Sequence, residues 1–242
     1  PPAIEQLGSD IDGVANADHF GWSVSMSNDG NRMVIGANQD DTPGSAAGSV
    51  EVYEYSSGSW TKMGSTINGE VAGDWFGYAV SMNGAGTRIV VGASLNDGNG
   101  TNSGHVRVFD WNGTAWTQVG ADIDGEAADD RFGTAVSIDD AGDRIVVGAI
   151  NNDGGGSNSG HVRVYDLVGT TWTQVGADIN GEALSDQFGY AVSINDAGTR
   201  IVVGANLNDG GGTNSGHARI FDWNGTTWTQ VGADIDGEAA GD

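Results

Sequence analysis

One stretch of about twenty residues is written four times along this chain. In its third copy it reads Asp130-Arg131-Phe132-Gly133-Thr134-Ala135-Val136-Ser137-Ile138-Asp139-Asp140-Ala141-Gly142-Asp143-Arg144-Ile145-Val146-Val147-Gly148-Ala149. A Phe-Gly pair falls at Phe20-Gly21, Phe76-Gly77, Phe132-Gly133 and Phe188-Gly189. A Gly-Ala pair begins at Gly36, Gly92, Gly148 and Gly204. Every step is 56 residues, without insertion or deletion. Self-similarity at a fixed period decides the fold before any single residue is weighed. It also means that the units speak of architecture more than of chemistry.

Four short strands can be read in each unit. In the second copy, Tyr78–Met82 follows the Phe-Gly pair, and a turn at Asn83-Gly84-Ala85-Gly86 leads to Arg88–Ala93. The unbroken β-branched run of that second strand suits burial on both faces. A polar loop, Asn96–Gly104, precedes a third strand, His105–Asp110, which alternates with period two. Asn112-Gly113 is a hairpin signal, and the fourth strand carries Trp116–Val119. Its Trp recurs at Trp60, Trp172 and Trp228. No window has a helical period. The expected fold is all-β: a β-propeller-type array of four 56-residue, four-stranded blades plus a duplicated terminal strand. A β-solenoid, or a segment of a larger propeller, is the alternative.

The expected units are 18–73, 74–129, 130–185 and 186–242, with 1–17 as the tail of a preceding repeat. Gln6–Gly13 aligns with Gln118–Gly125 and with Gln230–Gly237, and Asp242 stands where Asp18, Asp74, Asp130 and Asp186 stand. Residues 4–13 and 228–237 are therefore both copies of a fourth strand. A four-bladed ring has one such strand too many. Either the segment belongs to a longer array, or the spare strand completes a blade in another chain. Head-to-tail contacts of the second kind build filaments when they do not close. The chain begins Pro1-Pro2 rather than with Met, which reads as a processed or excised segment.

Composition removes several function classes. The 42 glycines lie far above the usual ~7%, yet they recur at fixed repeat positions and so mark tight turns. Net charge is −24, from 33 acidic and 9 basic residues, with Lys62 the one lysine. Neutralising nucleic-acid phosphates, or docking on an anionic membrane, is not the work of such a surface. There is no cysteine, which excludes disulfides and thiolate chemistry. No apolar run approaches the ~20 residues of a membrane-spanning helix.

The order of Phe-Gly, Val-Gly-Ala, an Asp/Gly loop ending Ser-Gly, and a Val-x-Val-Tyr/Phe strand resembles the FG-GAP repeat. These are the blades of integrin alpha-chain propellers and of many secreted microbial proteins. Copies such as Asn208–His217 are similar to long repeat arrays of marine bacterial and algal surface proteins. The resemblance implies an extracellular, secreted or cell-surface home, and calcium as the cofactor that loops between the second and third strands would hold. Asp41, Asp97, Asn99, Asp153 and Asp209 are the positions for it. One Asp per loop remains where a tight calcium site uses several carboxylates, so turn formation is the competing role.

Other repeated residues carry two readings each. Asp18, Asp74, Asp130 and Asp186 form a ring of carboxylates or cap turn amides. Arg32, Arg88, Arg144 and Arg200 open second strands and suit structural ion pairs. His105, His161 and His217 follow Ser-Gly, where the first unit has Ser49. They are metal ligands or pH sensors, or plain strand starts, since equivalent positions on different blades lie too far apart to share one ion. Trp111 and Trp223 beside the Asn-Gly turns would stack on sugar rings or pack on the adjacent blade. No nucleophile–base pair, phosphate-cradling loop or paired-Cys motif is present, and the expectation is a non-enzyme. The leading expectation is an extracellular structural and adhesive module that joins head to tail with itself. A multivalent lectin-like propeller binding extracellular glycans or proteins is the alternative.

Overall fold

The computed structural model describes residues 5–42 and 44–241; Ile4, Pro43 and Asp242 lie outside the described residues. Four antiparallel sheets follow one another, each built in chain order by hairpins. Blade 1 has strands Phe20–Met26, Arg32–Ala37, Ser49–Ser56 and Ser59–Lys62, with Ile67–Asn68 also pairing the third strand. Blade 2 repeats this as Phe76–Met82, Arg88–Ala93, His105–Trp111, Trp116–Gln118 and Ile123–Asp124. Blades 3 and 4 run from Phe132 to Asn180 and from Phe188 to Asp236 in the same pattern. No helix occurs among the described residues, so none is long and apolar enough to cross a membrane.

Two details go beyond the expected strands. The first strand starts at the Phe of Phe-Gly, and a bulge between Phe132 and Ala135 shifts its register. The fourth strand comes in two pieces. Val119 N–H still bonds the Val108 carbonyl at 2.9 Å; the chain then loops out at Gly120–Asp122 and rejoins the third strand at Ile123. Gly120, at φ +80°, makes that detour, and the detour turns Asp122 toward the start of the third strand.

First strands of successive blades pack on one another and on the second strand of the blade before, which makes them the innermost strands. The core therefore lies between blades. Val90 faces blade 3, whereas Ile89 and Val91 face blade 1. That two-sided burial is why the centre of the second strand is the β-branched run Ile89-Val90-Val91. Three such apolar layers exist, one per joint. Blade 4 has no contact of this kind with blade 1, so the array has two exposed end faces. Trp22, Val24 and Met26 are exposed on one; Val202, 39% exposed where Val90 and Val146 are fully buried, lies on the other.

Residues 5–13 form no strand. They keep the position a preceding unit's tail holds at each internal joint. Leu7 O accepts the Trp60 indole N–H at 2.9 Å, as Met63 O accepts that of Trp116 at 3.1 Å. The copy at the other end pairs fully, through Trp228–Gln230 and Ile235–Asp236.

Candidate functional site

The joint between blades is the one surface to which the signature residues converge. Gly133, at φ +86°, aims its carbonyl at the second strand of blade 2. A methyl group on Gly92 would stand 2.1 Å from that oxygen. The Phe-Gly and Gly-Ala pairs are thus two halves of one close backbone approach. It recurs between Gly36 and Gly77, at 2.2 Å, and between Gly148 and Gly189, at 2.1 Å. Ser25, Ser81 and Ser137 accept backbone N–H groups of Met82, Ile138 and Ile194 in the next blade, at 3.0, 3.3 and 3.2 Å. Arg88 pairs with Asp110 on its own third strand and donates forward to Gly142 O at 2.7 Å. Arg32 and Arg144 do the same toward Gly86 and Gly198. Arg200 keeps its partner Asp222, and its side chain is exposed.

The loop residues have local partners. Asp41, Asp97, Asp153 and Asp209 each accept the backbone N–H five residues on, at 2.6, 2.8, 2.8 and 2.7 Å. Asn99 donates to the carbonyls of Gly125 and Glu126. The carboxylates before Phe-Gly are buried caps: Asp74 accepts Val71 N–H and the Asn96 amide. Burial raises the pKa of Asp74 and Asp130 above the usual carboxylate value. Trp111 and Trp223 are half-buried, tilted against Trp116 and Trp228 with centroids 5.5 and 5.3 Å apart. Their rings cover Gly64 and Gly176 of the preceding blade.

His105, His161 and His217 are brought against carboxylates that sequence reasoning did not assign to them. His161 opens the third strand of blade 3 with its side chain 1% exposed. Its Nδ1 lies 3.9 Å from Asp178, in the detour of its own fourth strand, and 3.9 Å from Glu126, in the last loop of blade 2. In the groups Glu70–His105–Asp122 and Glu182–His217–Asp234 the aspartate lies 4.0 and 3.9 Å from the histidine Nδ1, and the three ligand atoms of each fall within 4.8 Å of one another. Burial holds the His161 pKa down to about 4 and lowers that of His105 too, so both rings are neutral near pH 7. An arginine two residues on links to the same acids: Arg163 pairs with Glu126 and, bidentately at 2.8 Å, with Asp178. Arg107 reaches Glu70 at 3.3 Å and lies 4.2 Å over the Phe76 ring. The signal for these groups was in the sequence. Glu70, Glu126 and Glu182, and likewise Asp122, Asp178 and Asp234, share the 56-residue period.

Radially ordered four-stranded blades, packed face to face through their innermost strands, define a β-propeller module. The family model for the FG-GAP repeat matches residues 10–53, 67–109, 121–165 and 180–221. The chain belongs to the FG-GAP repeat family. Among solved structures it is similar to a chain of Kuenenia stuttgartiensis hydrazine synthase, with TM-score 0.58 at 14% identity. The match covers 94% of this chain and 53% of that one, and at such identity it is a likeness of fold alone. No curated protein sequence matches.

Proposed function

We propose that this protein is a non-enzymatic structural and adhesive module of the extracellular surface, and that copies of it join head to tail. The observation that carries the proposal is the complementarity of its end faces. Blade 4 presents Ser193, Arg200, Val202 and Gly204, the forward half of the joint made three times inside the molecule. Blade 1 presents Phe20-Gly21 and the exposed Trp22, Val24 and Met26, the receiving half. Covering the part of Val202, Trp22, Val24 and Met26 that is still exposed removes apolar surface from water and stabilises the contact. A heterologous contact of this kind gives rings where the rotation closes and filaments where it does not. The acidic surface suits an exposed, mutually repelling array that associates only through matched faces.

Light scattering after size exclusion, over a wide range of protein concentration, tests this reading, with electron microscopy of the same fractions. Concentration-dependent rings or fibres are expected from the wild type, and monomers from Gly204→Leu, which fills the forward socket. Wild-type protein that stays monomeric at the highest concentration would falsify the joining.

A further inference from the structure

Each of the three Glu–His–Asp groups has the donor set of a zinc-type ion. The His161 and His217 Nδ1 atoms are buried and have no hydrogen-bond partner. A buried nitrogen left without a partner is destabilising, and here it recurs at two equivalent joints. At 3.9 Å from two carboxylate oxygens, His161 Nδ1 is too far for a hydrogen bond. Tetrahedral zinc, with bonds of ~2.0–2.2 Å, sets its ligand atoms roughly 3.4 Å apart. The ligand atoms of each group all lie within 4.8 Å of one another, so side-chain closure of roughly 0.5–1.5 Å would bring all three donors onto one ion.

The surroundings fix which oxygen faces the ring. Gln118, Gln174 and Gln230 donate to Oδ1 of Asp122, Asp178 and Asp234 at 2.7, 2.7 and 2.6 Å. Oδ2 is the atom that points to the histidine in each copy. Outer hydrogen bonds of this kind orient metal ligands. A carboxylate offers about four lone-pair positions, so Arg163 and an ion can share one. The guanidinium still opposes a second cation, which makes these sites weaker than a zinc finger. One neutral imidazole with two carboxylates suits zinc and its neighbours; calcium and magnesium require six or more oxygens. The group at Glu70, His105 and Asp122 borders an open cleft of about 360 Å³, an entry path for an ion.

Blade 1 is the internal contrast. Val14, Ser49 and Thr66 replace Glu, His and Asp together. Glu51 stands in place of the arginine, and Lys62 in place of the glutamine. Lys62 Nζ donates to Glu51 at 2.5 Å and to Thr66 at 2.6 Å. The unit that lacks every ligand carries the chain's one lysine, a tethered cation, beside the corresponding position.

We propose that Glu70–His105–Asp122, Glu126–His161–Asp178 and Glu182–His217–Asp234 are three divalent zinc-type metal sites, each clamping one blade to the next. Titrating Zn²⁺ into chelator-treated, full-length protein by calorimetry tests this. Three ions per chain are expected for the wild type, two for His161→Ser, and none for the triple variant His105→Ser/His161→Ser/His217→Ser. Serine is chosen because blade 1 folds with Ser49 there. Co²⁺ should give a visible ligand-field band that diminishes in the same order, and excess Ca²⁺ should not displace Zn²⁺. Gln174→Leu leaves every ligand in place and should weaken one site 10–100-fold. It decides the matter where the triple variant does not fold. No zinc binding by the wild type, equal stoichiometry in a folded triple variant (adventitious binding by the acidic surface), or unchanged affinity in Gln174→Leu would overturn the proposal.

Discussion

Gly148 and Gly204 hold the same place in the repeat and meet opposite surroundings. A methyl on Gly148 would collide with the Gly189 carbonyl at 2.1 Å; on Gly204 its nearest neighbour would be the Ala191 Cβ at 3.7 Å. The flanking residues show the same split. Ser137 accepts an N–H of the next blade, while Ser193 is exposed. The Arg144 side chain is 15% exposed and that of Arg200 is 56% exposed. Chemistry that looks like a property of one blade is therefore a property of the joint. A sheet taken alone has little to bury, and the packed core exists only where two blades meet.

The largest expected effect breaks that comparison at its tightest point. Gly148→Val should cost about 4 kcal/mol, because backbone on both sides must move, whereas Gly204→Val in the monomer should leave the melting temperature nearly unchanged. Denaturant unfolding of the two variants side by side is the measurement, and equal costs would refute the reading.

Next in size is a pH effect of the joint histidines. His161 and His105 titrate below their usual 6.5, toward about 4, because burial disfavours the charged ring. The unfolded chain then binds more protons than the folded one in this window, so stability falls as pH drops from 6.5 toward 4. The loss is roughly 3 kcal/mol per histidine, from about 1.4 kcal/mol per pKa unit. Asp74 and Asp130, raised by burial, act in the opposite sense and weaken folding as pH rises through their folded values. Metal-free protein with the three histidines changed to serine should have a flatter unfolding profile across pH 4–6.5. A slope equal to the wild type's would remove the histidines from the account.

The smallest contrast is in single hydrogen bonds. Ser25→Ala loses the acceptor for Met82 N–H, at about 1 kcal/mol. Ser193→Ala, on the outer face, should change nothing that thermal unfolding can resolve.

Much of this architecture was legible because the period is strict. Phe20, Phe76, Phe132 and Phe188 marked the innermost strands, and Arg88–Ala93 ran to its expected bounds. The interruption of the fourth strand was harder to read. Trp116–Val119 continues as a plausible strand on paper, and only Gly120 in the left-handed region hints that the chain leaves the sheet. The His–carboxylate groups were hidden for a different reason. Each glutamate lies 35 residues before its histidine, in the preceding unit, so neither unit contains the group. Comparing units by what blade 1 replaces in concert, Val14, Ser49, Glu51, Lys62 and Thr66, would have found it.

The backbone contact of Gly92 with Gly133 has a consequence for heredity. Its two halves lie on either side of every unit boundary, so any unit fits behind any other. Misaligned recombination between the tandem DNA copies adds or removes whole blades, and each new joint repeats this contact. Deletions of 56 codons, or of any multiple of 56, keep every later blade in phase.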